Sequence, residues 1–159
     1  METKTADEAI RIICCGNRDR GDDAVGLLVA DRLRELGIPA LIHSGDPLSL
    51  MDAWTGADEV IVVDAAVTGA PVGTIHRWNE PPPLTNAAAA STHGMGLAEA
   101  IRLGRQLCRL PSRLCIYGIE GNHFAMGARM AFDVQRSVEK VVQEILSRVE
   151  TMVMSAAVP

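Results

Sequence analysis

Residues 10–37 read IRIICCGNRDRGDDAVGLLVADRLRELG, and the way that stretch divides decides the fold. Ile10–Cys15 is a short apolar run stopped by Gly16, the pattern of a buried strand. From Asp22 to Leu36 the apolar residues Val25, Leu28, Val29, Leu33 and Leu36 recur three and four apart, which predicts a helix with one core face. Gly37 closes that helix as a C-terminal glycine does. Strand, polar loop and helix make the opening unit of an α/β domain. The loop carries two adjacent aspartates just after Gly21. Neighbours at a helix start project roughly 100° apart, so they cannot easily share one job. Asp22 is placed to be the N-cap, accepting a bond from a backbone N–H one turn on. Asp23 is then free to aim across the rim of the domain. The plainer alternative is that both simply favour the positive helix end.

The rest of the chain repeats the alternation. Ile38–His43 reads as a second strand, near the sheet edge because Pro39 lies close to its start. Pro47 opens a short helix through Trp54. Val60–Val63 is an uninterrupted β-branched run ending in Asp64, which fits a central parallel strand covered on both faces. Gly73–Trp78 reads as another strand. In Glu80–Ala90, EPPPLTNAAAA, three consecutive prolines exclude a helix or central strand, so this is a loop. Ser91 and Thr92 serve as caps for a helix to about Cys108, with Leu97, Ile101, Gly104 and Leu107 inward. Arg113–Ile119 is a further strand. Asp133 caps a long final helix with Val134, Val138, Val141, Val142, Ile145, Val149 and Met152 on one face. This pattern predicts a single domain over residues 1–159, its core about 10–150. The fold class is α/β: a three-layer α/β/α arrangement around a mainly parallel, twisted sheet of about five strands. The tail after about Met154 is expected to fray.

Composition narrows the function. The chain has 159 residues, 48% hydrophobic and only 3% aromatic, with a net charge of −5. The core must therefore be aliphatic, and stacking platforms for bases or sugars are scarce. Scattered basic residues on an acidic chain argue against a nucleic-acid or anionic-membrane surface. No run approaches the roughly 18 apolar residues of a membrane span, and METKTADEAIRI lacks a signal-peptide core. A cytoplasmic monomer is the expectation. Cys14, Cys15, Cys108 and Cys115 form no CxxC pair, so they read as free thiols, mostly in the core.

In open α/β sheets ligands bind at the carboxyl ends of the strands. The first strand delivers Asn17, Asp22 and Asp23 there, and the Val60–Val63 strand delivers Asp64. His93 falls at the next helix start, and the Arg113–Ile119 strand delivers Glu120, Asn122 and His123. A carboxylate directly after four β-branched residues is expected to be buried and to need a partner. A histidine at a helix N-terminus is expected to be neutral, as a metal ligand or base must be. Each has a bland reading: hydrogen bonds to loop N–H groups for Asp64, a cap or solvated side chain for His93. Two carboxylates and an imidazole suit a borderline divalent cation with coordination positions left open. His76, within a strand, reads as structural. GxGxxG, the Walker loop, the EF-hand and GxSxG are all absent.

With those residues assembled, the chain resembles the hydrogenase maturation proteases, which trim the C-terminal extension of the nickel–iron hydrogenase large subunit. The resemblance runs from about Arg11 to Leu146. It is carried by GNRDRGDDAVG (16–26), VVDAAVTGAPVGTIHRW (62–78), STHGMGLAEAI (91–101) and YGIE (117–120). It implies a metal-contacting triad of Asp23, Asp64 and His93, acting on nickel carried by the substrate, the large-subunit precursor. It also implies substrate contacts near Asn17, Gly45, Asp46 and Glu120. The chain departs from the family pattern in having SGDPLSL where Gly-Thr usually follows the second strand, and Gly121 where proline often follows the Glu120 position. Two other readings use the same residues or fold: a nickel-checking chaperone that binds the precursor without hydrolysis, and a small-molecule hydrolase on a similar sheet.

Overall fold

The structure is a computed structural model and describes residues 9–79 and 92–156, the side chains of 92–95 and 156 apart. Five strands form one sheet: β1 (Ile10–Cys15), β2 (Leu41–His43), β3 (Glu59–Ala66), β4 (Ile75–Trp78) and β5 (Arg113–Glu120). Their order is β2-β1-β3-β5-β4. All pairs are parallel except β4 with β5. Among the described residues four α-helices cover it: α1 (Val25–Glu35), α2 (Pro47–Trp54), α3 (Thr92–Gln106) and α4 (Phe132–Ala156). The expected architecture is therefore the observed one, with a mixed sheet that is mostly parallel.

Side-chain alternation along the strands sorts the core into two layers. Ile12, Cys14, Ile61, Val63, Ala65, Tyr117 and Ile119 pack against Val25, Val29 and Leu33 of α1 and Val134, Val138, Val141 and Ile145 of α4. Ile13, Cys15, Val60, Val62 and Ile116 pack against Leu50, Met51 and Trp54 of α2 and Leu97, Ala100 and Ile101 of α3. The β-branched run proves to be the middle of β3, every residue of which is buried. Cys14, Cys15 and Cys115 are buried free thiols, and Cys108 is exposed.

Several boundaries differ from expectation for local reasons. The helix foreseen from Asp22 begins as a separate 3₁₀ turn, Gly21–Ala24, before α1 starts at Val25. The second strand shortens to three residues because Pro39 and the helix-closing bonds Gly37 N to Arg34 O and Ile38 N to Leu33 O hold its first half. Leu36 and Leu107 lie beyond the buried stripes of their helices and are exposed. The final helix opens at Phe132, so Asp133 is in its first turn rather than outside it, and the helix continues through Ala156. The proline-rich loop, Ser91 and the first eight residues lie outside the described residues.

The connection from β1 goes to β2 on one side, while β3 pairs on the other. The chain therefore reverses direction between β1 and β3, which opens a crevice at their carboxyl ends. Helix α1 sits down on this point through Gly26. A Cβ there would lie 2.3 Å from the Cys15 carbonyl oxygen and 3.0 Å from that of Val63. Gly26→Ala is expected to lift the start of α1 and to lose about 3 kcal/mol or more of stability, the upper range for overpacking. Urea unfolding measures it.

Candidate active site

The two adjacent aspartates have different surroundings. Asp22 is fully buried, but it is not the N-cap of α1. Its carboxylate turns away from its own helix and accepts three backbone N–H groups from the segment after β5: Asn122 at 2.9 Å, His123 at 2.8 Å and Ala131 at 2.7 Å. Its own N–H donates to the His123 carbonyl at 2.8 Å. A backbone donor is rarely left unpaired in an interior, and the loop after β5 has no strand to satisfy it. A carboxylate with two oxygens is the economical acceptor for three donors. Asp22 thus shapes the loop after β5 rather than capping its own helix, by a route that local sequence does not reveal.

Asp23 lies in the 3₁₀ turn and is 2% exposed. Its backbone closes the loop: Asp23 N donates to Arg20 O at 3.1 Å, and Asn17 N donates to Asp23 O at 3.2 Å. Asp64 is 3% exposed and sits inside β3, which runs two residues past it. Its Oδ1 accepts the Ala65 N–H at 2.8 Å. Burial pushes the Asp64 carboxyl well above the usual range, the Asp23 charge raises it further, and the Ala65 bond opposes them. The two carboxylates therefore feel each other at the β1/β3 crevice. Cys15 ends β1 beside them: burial raises its thiol most, followed by the charge of Asp64, then the neighbouring Cys14 and Asp23.

The sheet alternation sets Asp64 on the face of Val60 and Val62, the face covered by α2 and α3. His93 lies in the first turn of α3, so its helix covers the sheet face on which Asp64 is placed. Its imidazole is outside the described residues. What fixes that helix start is a backbone contact one turn on. A Cβ at Gly96 would fall 1.9 Å from the Gly45 carbonyl oxygen, so the loop after β2 abuts the start of α3. Among the described residues no three His, Cys, Asp or Glu side chains gather as a metal site.

The expected substrate contacts have internal partners. Asn17 Oδ1 accepts the Asp19 N–H at 2.9 Å. Gly45 is buried, and its N–H donates to His43 Nδ1 at 2.9 Å. Asp46 caps α2 by accepting the Ser49 N–H at 2.9 Å. Glu120 is 2% exposed. It accepts from Thr68 N at 2.7 Å, Gly69 N at 3.0 Å and Thr68 Oγ1 at 3.0 Å, and its Oε2 lies 3.0 Å from His76 Nε2. His76 in turn stacks on Trp78, ring centroids 4.8 Å apart. Glu120 thus pins the β3–β4 turn, and His76 is structural as foreseen. Sequence reasoning missed Cys15 as a neighbour of the aspartates. The signal available was register, since a β1 residue one past Cys14 falls level with Asp64.

Comparison with known proteins gives the family and the fold. Residues 40–148 match the family described as HycI, hydrogenase maturation protease. FrxA of Pyrococcus furiosus is 28% identical over 130 residues, 80% of this chain and 95% of that protein. The hydrogenase maturating endopeptidase HybD of Escherichia coli superposes with a TM-score of 0.76 at 19% identity, over 91% of this chain and 93% of that one, a likeness of fold. The nickel–iron hydrogenase maturation protease HycI of Thermococcus kodakarensis superposes at 0.68 with 26% identity, over 90% and 93% of the two chains.

Two stability outcomes follow from the geometry. Asp22→Ala removes the acceptor of three part-buried N–H groups and is expected to cost about 2–3 kcal/mol, the lower end of ~1–3 kcal/mol per orphaned donor, with amide exchange at 122, 123 and 131 accelerated. Asp64 behaves oppositely. Its folded pKa lies above the unfolded value near 3.8, so the folded state holds the proton more tightly, and stability falls as pH rises through that window. Asp64→Asn should be more stable than the parent at pH 7. The advantage should shrink as the pH is lowered and vanish below about 3.8, where both states are protonated. Thermal melts across pH read the difference.

Proposed function

The chain belongs to the hydrogenase maturation protease family, and on that premise we propose that it removes the C-terminal extension of a nickel-loaded nickel–iron hydrogenase large-subunit precursor. Membership of the family makes it a hydrolase of the endopeptidase kind. The observation that carries the finer reading is the pair of buried carboxylates, Asp23 and Asp64, at the strand-end crevice. Two like charges in a low-dielectric pocket raise each other's energy, and either a proton or a cation relieves them. A nickel ion already seated in the precursor is such a cation, and it arrives with the peptide to be cut.

In this reading Asp23, Asp64 and His93 fill coordination positions that the precursor leaves open, and nickel is part of the substrate. The same grip fixes the scissile peptide. Anchoring a reacting group next to its catalyst can supply about 7–11 kcal/mol of a barrier in favourable intramolecular cases. Water then adds to the peptide carbonyl, the C–N bond breaks, and the water's proton passes to the leaving nitrogen. Polarisation of the carbonyl by the nickel, or uptake of the water's proton by a carboxylate, drives that addition.

Asp22, Asn17 and Glu120 support the reading indirectly by fixing the loops around the crevice. A precursor without nickel would offer the carboxylates no cation and should be left whole. Purified nickel-loaded precursor, incubated with the protein and weighed by mass spectrometry, should lose its C-terminal extension. Asp23→Ala, Asp64→Ala and His93→Ala should each slow that loss by roughly a hundredfold or more, the scale of a misplaced reacting group. Undiminished cleavage by all three variants overturns the proposal, as does an uncut precursor bound by the parent protein.

A further inference from the structure

Resting on that reading, we infer that the loops 17–20 and 122–132 form a docking face for the folded body of the protein substrate, separate from the crevice that takes its C-terminal peptide. The partner surface that fits is apolar at its centre and acidic at its border.

The two loops are built as one piece. Asp22 gathers the N–H groups of Asn122, His123 and Ala131. Gly127 N donates to Asp19 O at 2.7 Å, and Arg20 Nε donates to Phe124 O at 3.0 Å. A loop tied at both ends and in the middle holds its shape before any partner arrives, which lowers the entropic cost of binding. On this fixed support two large apolar side chains face outward: Met126 is 70% exposed and Phe132, which opens α4, is 71% exposed. Both residue types are enriched at protein interfaces. The fold gains nothing from presenting them to water.

The charge of the face opposes that of the chain. Residues 17–20 and 122–132 contain Arg18, Arg20 and Arg129 against Asp19, a local net of +2 (three minus one) on a protein of net −5. Arg18 is paired with Asp31. Arg129 and Arg136 have no ion pair among the described residues, and the Arg136 guanidinium lies 5.8 Å from the Phe132 ring centroid. Exposed apolar side chains carried on the same tied segment as arginines without ion pairs select an apolar surface edged with carboxylates. Continuity with the crevice names the occupant: the segment after β5 is held by the carboxylate of Asp22, the immediate neighbour of Asp23, so whatever docks there lies beside the site that cuts it. An endopeptidase acting on one folded protein gains from such remote contacts, since they hold the substrate without touching the reacting bond.

The test is steady-state cleavage of the nickel-loaded precursor by the parent, by Met126→Ser/Phe132→Ser and by Arg129→Glu/Arg136→Glu. Both double variants should raise KM about tenfold or more, the usual scale for losing interface anchors, with kcat and melting temperature kept. The charge reversal should also flatten the rise of KM with salt. A parent that cleaves, beside variants whose KM stays at the parental value, overturns the docking face and leaves the protease reading intact. A parent that leaves the precursor whole overturns both. Self-association of the parent that the Met126→Ser/Phe132→Ser variant abolishes shows that a second copy covers the face, and this also overturns the inference.

Discussion

The start of α1 rests directly on backbone carbonyls, with no side chain between, and the arrangement of the crevice depends on that contact. Gly26 brings the helix within van der Waals reach of Cys15 and Val63, the ends of the two central strands. Because the helix sits so low, the 3₁₀ turn before it lies across the sheet end, and Asp23 comes to a position from which its charge is felt at Asp64. A helix held one side-chain layer higher would separate the two carboxylates and give each its own solvent. The close approach therefore creates the electrostatic tension between the two carboxylates, and the surrounding core supplies the rigidity to sustain it.

Asp22 and Asp23 show how neighbouring residues of one type divide the work. Asp22 is saturated by three backbone donors, which makes it a fixed joint between the loop after β1 and the loop after β5. Asp23 sits in the same turn beside another carboxylate. The opposite end of the sheet handles a buried acid differently. Glu59, 2% exposed, is met by Arg148 at 2.7 Å and Arg113 at 3.1 Å. The amino-terminal end of β3 is thus neutralised by guanidinium groups of the chain itself, while Asp64, on the same strand, lies in the field of a like charge. One strand carries both a stability device and a source of chemical tension, at its two ends.

Much of this was legible because apolar periodicity is a local signal. The β-branched run of β3, the stripe of α4 and the glycine after α1 each announced their element, and the rule that ligands sit at strand ends pointed to Asp23 and Asp64; it also pointed to His93, whose imidazole lies outside the described residues. What remained hidden was set by contacts distant in sequence. Asp22 looked like a cap because capping is the local use of an aspartate there, and its true donors lie about a hundred residues away. In place of a first α-helical turn the chain makes a 3₁₀ turn, from which Asp22 reaches those donors. Glu120 read as a residue facing a ligand, yet the β3–β4 turn and His76 occupy its oxygens. The short β2 could not be bounded from sequence either, since the bonds that end α1 compete for the same residues.

The contact between Gly45 and Gly96 has a consequence for how this chain can diverge. No polar side chain is involved, only an oxygen seated where any methyl at residue 96 would have to go. A mutation there would leave composition, charge and hydropathy almost untouched. It would nonetheless push the β2 loop outward or slide α3 along its axis, and either shift would carry residue 93 with it. A side chain is thus barred at a spot that looks chemically silent, by the packing of one backbone on another alone.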